Sequence, residues 1–207
     1  MYNFTKRLLD IIISSVLIIL FIPVWLVVPI LIKLDSKGPT FFGHKRVGKD
    51  GKLFTMYKFR TMIDNAEDFL YKNKNNSELL KKFKEGDWKL ENDPRITKLG
   101  KILRSITIDE FPQFFNVLKG EMSIVGPRAY VPSELKEQPK RYPQTKQLMK
   151  EILKIKPGIT GPWQTSGRNE IPFDTRASLD AEYSRSRSIL KDIFIILKTP
   201  AAMFSKW

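Results

Sequence analysis

Residues Ile11–Ile32 read IIISSVLIILFIPVWLVVPILI, an uncharged run of 22 residues in a chain where 28% of side chains are charged. Such a run exceeds what most globular cores need and meets the length of a membrane helix. It is apolar on every side, unlike an ordinary core helix. A cleaved leader fits poorly, because the run is too long and no small-residue cleavage site follows. As one straight helix it would extend roughly 33 Å and cross a bilayer. Pro23, however, stands at its midpoint, with Pro29 beyond. A mid-helix proline loses a hydrogen bond and crowds the carbonyl four residues back, here that of Ile19, so a kink is expected. Each arm is then about 15 to 18 Å long, near half the hydrocarbon thickness. Lys6 and Arg7 precede the run, and Lys33 and Lys37 follow it. That charge holds both ends on the cytoplasmic side. A re-entrant helix hairpin within residues 1–35 is therefore favoured over a kinked crossing helix. One domain over residues 36–207, lying on the membrane interface, follows it.

Charge agrees with that placement. The 207 residues hold 36 Lys+Arg and 22 Asp+Glu, a net charge of +14. Lys6, Arg7 and Lys33 against Asp10 and Asp35 leave +1 on residues 1–35, so +13 falls on the remainder. Anionic headgroups, nucleotide-like substrates and nucleic acid all suit such a surface. There is no cysteine and one histidine, His44. Disulfides, thiol catalysis and His or Cys metal clusters are thereby excluded. Any chemistry rests on carboxylates, hydroxyls, lysines or arginines.

The expected fold is α+β and mostly α. TFFGHKRVGKDGKLFTMYKFRTM (40–62) reads as a small β-hairpin, two aromatic and β-branched runs about Lys49-Asp50-Gly51. Its glycines lack phosphate-loop spacing. Thr61–Phe83 predicts a polar, Lys-rich, solvated helical stretch. DPRITKLGKILR (93–104) predicts a short helix with Leu99, Ile102 and Leu103 on one face and Lys98, Lys101 and Arg104 elsewhere. Near the C-terminus Ile189, Leu190, Ile193, Phe194 and Leu197 recur at helical spacing, with Lys191, Lys198 and Lys206 available to the polar side. That pattern suits an interfacial amphipathic helix or an ordinary core helix.

The chemistry concentrates in SITIDEFPQFFNVLKGEMSIVGPR (105–128). Phe111, Phe114, Phe115 and Leu118 share a helical face, Pro112 suits a first turn and Gly120 a C-terminal stop. Asp109 and Glu110 thus fall at or just before a helix N-terminus. Two readings stay open at this level. Asp109 is an N-cap, worth about 1 kcal/mol, or it is an ionised nucleophile for phosphorus at a phosphate-holding helix end. Two adjacent carboxylates also suit Mg²⁺, and Arg104, Arg128 and Arg168 are candidates to neutralise phosphoryl oxygens.

The segments KRVGKDGKLFTMYKFRTM (45–62), DPRITKLGKILRSITIDEFPQFFNVLKGEMSIVGPR (93–128), KPGITGPWQTSGRN (156–169) and LDAEY (179–183) with LKDIFIILKT (190–199) resemble the bacterial sugar transferases, the monotopic phosphoglycosyl transferases. KRLLD and the proline-broken run also resemble that family's re-entrant helix. The resemblance implies transfer of a sugar-1-phosphate from a UDP-sugar to polyprenyl (undecaprenyl) phosphate, starting glycan or exopolysaccharide assembly. It implies Asp109 as nucleophile through a phosphosugar-aspartyl intermediate, with release of UMP and with Glu110 assisting through Mg²⁺ or proton handling. Arg104, Arg128 and Arg168 match family arginines near the phosphates and nucleotide, and Lys58 and Arg60 match the basic hairpin strand. Membrane phospholipid is an implied partner and nucleic acid is not. The expected place is the cytoplasmic face of a bacterial inner membrane, with the oligomeric state open, a homodimer included.

Two positions depart from the family pattern. Ala129 follows Gly-Pro-Arg where proline is frequent, and SRSRS (184–188) stands where relatives often carry an interfacial aromatic. WQTSGRNEIPF (163–173) looks closer to hexose-1-phosphate transferases than to those using diacetamido sugars. Without the extra N-terminal helices of such relatives, the chain resembles a minimal catalytic unit. The competing reading is a membrane-anchored, non-enzymatic basic protein that binds anionic lipid or nucleic acid. It leaves the Asp-Glu pair unexplained.

Overall fold

The computed structural model describes residues 2–72, 76–85, 90, 92–167 and 171–203. The apolar run forms α1 (Tyr2–Leu20) and α2 (Ile22–Asp35). They meet at Phe21 with a bend of 63°, and Pro23 sits in the first turn of α2. A proline is tolerated there because its missing N–H has no helical partner. The break falls in the middle of the run, as the prolines predict, and the two arms make a bent pair, a V, of the kind found in a re-entrant loop or a broken span. Among the described residues no single helix is long and apolar enough to cross a membrane, though the bent pair passes together by length and composition.

One side of the V belongs to the core. Val28 and Ile32 are buried with Phe59, Leu103, Phe111 and Val117. Trp25 packs between Phe59 and Phe115, with centroids 5.5 and 5.2 Å away, and Phe21 meets Phe111 at 4.9 Å. The other side leaves Phe4, Ile19, Leu20, Leu26, Ile30 and Leu34 exposed. That much uncovered apolar surface marks a contact face, not ordinary protein exterior.

The two cations that precede the run, Lys6 and Arg7, are engaged by protein. Arg7 donates to the carbonyls of Val117 and Leu118 at 2.6 and 2.8 Å. Lys6 lies 3.4 Å from Asp10 and 3.1 Å from Asp192. Asp10 is buried and accepts from Ser123 Oγ and the Ile124 N–H, each at 3.0 Å. Tyr183 and Tyr2 both donate to Asp192, at 2.5 and 3.1 Å. Burial makes such carboxylates costly unless donors surround them, which these do.

The hairpin forms as expected. Strands β1 (Phe41–Val47) and β2 (Leu53–Phe59) pair antiparallel, with Phe41 opposite Phe59 and Val47 opposite Leu53. The turn puts Asp50 at φ 56° and Gly51 at φ 76°, the left-handed conformation that Asp and Gly tolerate. Thr61–Phe83 is largely helical and exposed, as expected, but its helix is divided. It starts with an isolated bridge from Met62 to Ile96, then holds two short helices, α3 (Ala66–Tyr71) and α4 (Ser77–Glu85). Asn65 at φ 57° starts the first, and Leu70 is buried.

Helix α5 (Lys98–Ser105) begins at Thr97, whose Oγ1 accepts the Gly100 N–H at 2.9 Å. Leu103 is buried, but Ile102 is exposed and Arg104 turns inward. Helix α6 (Gln113–Lys119) ends at Gly120, φ 81°, as its sequence predicts. A second sheet, not foreseen, pairs β3 (Ser123–Val125) in parallel with β4 (Gly158–Thr160). Between these strands lie α7 (Pro132–Arg141) and α8 (Thr145–Ile152). The short α9 (Pro162–Thr165), α10 (Phe173–Ser186) and α11 (Ile189–Met203) follow. A second core of Tyr130, Met149, Ile152, Phe173, Ala177 and Ala181 joins α8 to α10. On α11, Leu190, Ile193, Phe194 and Leu197 all face outward while Asp192 and Ile195 are buried. This helix therefore presents its apolar stripe to the exterior, as an interfacial helix would. Lys206 lies outside the described residues.

Candidate functional site

The Asp109–Glu110 dyad stands on a strained turn. Thr107 adopts φ 58°, unusual for a β-branched residue, and leads into a 3₁₀ turn over Ile108–Glu110. Asp109 does not cap α6. Pro112 occupies the N-cap position, with no side-chain cap bond. Asp109 is instead 2% exposed, and its Oδ1 has no hydrogen-bond partner among the described residues. An orphaned buried carboxylate oxygen is rare in a purely structural role.

Lys58, on β2, is the nearest cation. Its Nζ lies 2.6 Å from Glu110 Oε1 and 3.8 Å from Asp109 Oδ2. Asn116, fully buried on α6, fixes this spacing. It donates to Thr55 O and Glu121 Oε2 at 2.7 Å each and accepts the Tyr57 N–H at 3.0 Å. That side chain locks α6, which follows the Asp109–Glu110 turn, to the strand bearing Lys58. Burial pushes the Asp109 carboxyl up to about 6, and Glu110 acts the same way against the pull of Lys58 and Arg104. A carboxyl so placed ionises just below neutrality.

Arg104 approaches from α5, its Nε donating to Thr61 Oγ1 at 2.8 Å. Burial draws its guanidinium below its ordinary range, while the Asp109 and Asp93 charges oppose that. Gly100 permits the approach, because a Cβ there would stand 2.1 Å from Thr61 O.

Residues 1–206 match the bacterial sugar transferase family. The chain belongs to that family. It is 42% identical over 197 residues to an undecaprenyl-phosphate galactose phosphotransferase of Salmonella typhimurium, covering 95% of this chain and 40% of the relative. To the exopolysaccharide production protein ExoY of Rhizobium meliloti it is 37% identical over 203 residues, 97% of this chain and 86% of the relative. A UDP-glucose:undecaprenyl-phosphate glucose-1-phosphate transferase of Klebsiella pneumoniae is 41% identical over 201 residues, 94% of this chain and 39% of the relative. The chain thus spans about two fifths of the first and third of these proteins.

In this family member Arg128 stands on the loop after β3, where it meets Asp180, Glu134 and Trp163. Its backbone N–H donates to Asp180 Oδ2 at 3.0 Å, and Tyr130 OH donates to the same oxygen at 3.0 Å. Its guanidinium lies over Trp163, 5.1 Å from the ring centroid, and 3.7 Å from Glu134. Burial pushes Asp180 up to about 7. Burial also raises Glu134, but Arg128, the Val131 N–H and Arg46 outweigh it and hold that carboxyl below its usual range. Close backbone contact carries this loop, since a Cβ on Gly158 would meet Gly126 N at 2.1 Å.

Arg60 is not brought to the dyad. Its guanidinium caps α2, donating to Ser36 O at 2.7 Å, to Lys37 O and more weakly to Ile32 O. Arg168 lies outside the described residues. Sequence reasoning missed Asn116, Glu134 and Asp180. A polar residue inside the FFNVL face was the one available signal, for Asn116. Glu134 and Asp180 gain meaning only from distant partners.

A divalent cation is the one cofactor the family resemblance implies, and no cluster of three metal-ligating side chains occurs among the described residues. Mg²⁺ commonly takes only one or two carboxylates and completes its shell with water and substrate phosphate. The unpartnered Asp109 Oδ1 beside the Glu110 carboxylate fits that requirement.

Proposed function

We propose that this chain moves a hexose-1-phosphate from a UDP-sugar to undecaprenyl phosphate, at the cytoplasmic face of a bacterial inner membrane. One observation carries the reading: a buried carboxylate, Asp109, with a free oxygen, an ionisation near neutrality and Lys58 at 3.8 Å. The names of the relatives supply the substrate classes.

In the first step an Asp109 oxygen attacks the sugar-bearing phosphorus. The bond from that phosphorus to the bridging oxygen breaks and UMP departs with its electron pair, leaving an aspartyl phosphosugar. In the second, a phosphate oxygen of undecaprenyl phosphate attacks the same phosphorus and expels the Asp109 carboxylate, giving the diphosphate-linked sugar. Asp109 and Glu110 would hold Mg²⁺, which supplies charge neutralisation at the diphosphate. Lys58, Arg104 and Arg128 stabilise charge on the phosphoryl oxygens. The bent α1–α2 pair enters one leaflet and returns, and with the outward stripe of α11 it seats residues 36–207 at the depth of the lipid phosphate.

The test supplies detergent-purified chain with undecaprenyl phosphate, Mg²⁺ and a panel of UDP-sugars, and reads UMP. Release should need the lipid acceptor for turnover, favour a UDP-hexose and vanish in Asp109→Asn. Undiminished turnover by that variant would remove Asp109 as the nucleophile.

A further inference from the structure

The hairpin's inner face carries more than Lys58. Pairing sets Phe42 opposite Lys58, His44 opposite Met56 and Arg46 opposite Phe54. Alternate residues on a strand share a face, and directly opposed residues do too. His44, Arg46 and Lys58 therefore stand on one side of the sheet. That side meets the dyad through Lys58 and Glu110, and the Gly-Pro-Arg loop through Arg46.

Arg46 is nearly buried and loosely held. Its Nη1 donates to Ala129 O at 3.2 Å and lies 4.0 Å from Glu134 Oε2, while its Nε has no acceptor among the described residues. Glu134 is shared with Arg128, at 3.7 Å, so neither guanidinium has the close two-point carboxylate contact that usually holds a buried arginine. Burial, then the charge of Arg128, bring Arg46 down to about 10. A buried, incompletely satisfied guanidinium next to two further cations calls for an anion.

Nη2 of Arg46 lies 3.3 Å from His44 Nδ1. A guanidinium only donates, so Nδ1 accepts and the ring proton resides on Nε2. Burial, then Arg46 and Lys58, push His44 down to about 4, and Arg128 adds to them while Glu134 opposes. The imidazole is neutral at physiological pH, with a single N–H to give.

We propose that His44 and Arg46 form a further arm of the donor site, in which His44 Nε2–H donates to an oxygen of the bound nucleotide-sugar while Arg46 fixes the ring's tautomer and offers its free Nε–H to the ligand's charge. This rests on the transferase reading above. The oxygen belongs to the diphosphate or to the sugar, and His44 works as a fixed neutral donor, not as a general acid or base.

The test uses the full chain in detergent, with His44→Leu, His44→Gln and Arg46→Lys. It reads donor KM and kcat for UMP release, calorimetric binding of UDP and thermal midpoint. His44→Leu should raise donor KM about tenfold with kcat within about twofold, the expected loss of one hydrogen bond. His44→Gln keeps a neutral N–H and should stay within about threefold of wild type. Arg46→Lys should resemble His44→Leu, because an ammonium lacks the planar fork. Weakened UDP binding in His44→Leu assigns the diphosphate oxygen; unchanged UDP binding with raised donor KM assigns the sugar. If His44→Leu does not fold, His44→Asn, which shortens the N–H reach, takes its place. Equal loss in the Leu (or Asn) and Gln variants, or an unchanged KM in both His44→Leu and Arg46→Lys, would overturn the proposal. A collapse of kcat in His44→Gln would instead make His44 a proton-transfer group and equally refute it. Absence of UMP release by the wild type would sink the transferase reading itself, and this arm with it.

Discussion

Replacing Lys58 by methionine keeps most of the stem and removes the charge nearest the dyad. Its Nζ stands 3.8 Å from Asp109 Oδ2. A unit charge at that distance is worth about 1 kcal/mol at the dielectric of water and about 4 kcal/mol at an effective value of 20. One pKa unit corresponds to about 1.4 kcal/mol, so the substitution should raise Asp109 by roughly 1 to 3 units. Its starting point is about 6. The sign follows from the chemistry. Only the ionised carboxylate attacks phosphorus, so the rate climbs with pH through this ionisation. Losing the cation that favours the ionised form moves the climb to higher pH. The assay is kcat/KM for UMP release from pH 5 to 9 at fixed Mg²⁺ and ionic strength. Lys58→Met should show its acid limb displaced upward by at least about one unit, with partial recovery at alkaline pH, and Lys58→Arg should stay near wild type. A Lys58→Met profile lowered evenly at all pH, with its limb unmoved, would refute the reasoning. Lys58 would then serve the substrate alone.

Three further outcomes follow from the packing. Asp180 has a folded-state value of about 7 against 3.8 for the free side chain, so the folded protein holds an extra proton between those limits. Stability should therefore fall as pH rises through that window, by up to on the order of 4 kcal/mol, and Asp180→Asn should flatten the slope of thermal midpoint against pH. Gly158→Ala would drive a methyl to 2.1 Å from Gly126 N. It should cost at least about 3 kcal/mol, seen as a lowered midpoint and loss of UMP release together. Tyr183→Phe removes a hydroxyl that donates to Asp192 at 2.5 Å, and should cost about 1 to 2 kcal/mol by the same thermal measurement.

Local chemistry explains what the sequence disclosed. The hairpin was legible because Asp50-Gly51 accepts left-handed backbone between aromatic runs, and the dyad's place because Pro112 and Gly120 punctuate a short helix. The helix break was legible from Pro23, which takes the first turn of α2, though the angle was not, and Pro29 is carried inside α2 without ending it. In Thr61–Phe83 the helical, solvated character was legible, but the polar composition hides the bridge at Met62 and the buried Leu70. Strands β3 and β4 have three residues each, too few for any period to show. Lys6 and Arg7 read as membrane-flanking charge, and Arg60 as a ligand-binding cation, because their acceptors lie far off in sequence, up to 186 positions away for Lys6 and Asp192. The α11 stripe was visible, but core and interface share one pattern. Only its neighbours decide which way Leu190 and Leu197 face.

The union of α1 with the rest of the chain bears on how to make this protein work in water. Cutting the chain after Asp35 would strip the donors of Arg7 from the last carbonyls of α6, orphan the N–H of Ile124, and uncover the side chains that Val28 and Ile32 protect. The shortened chain should precipitate rather than dissolve. A detergent-free version is better sought by leaving the V in place and recolouring its outer surface. Polar residues at Phe4, Ile19, Leu20, Leu26, Ile30 and Leu34 touch none of the buried seam.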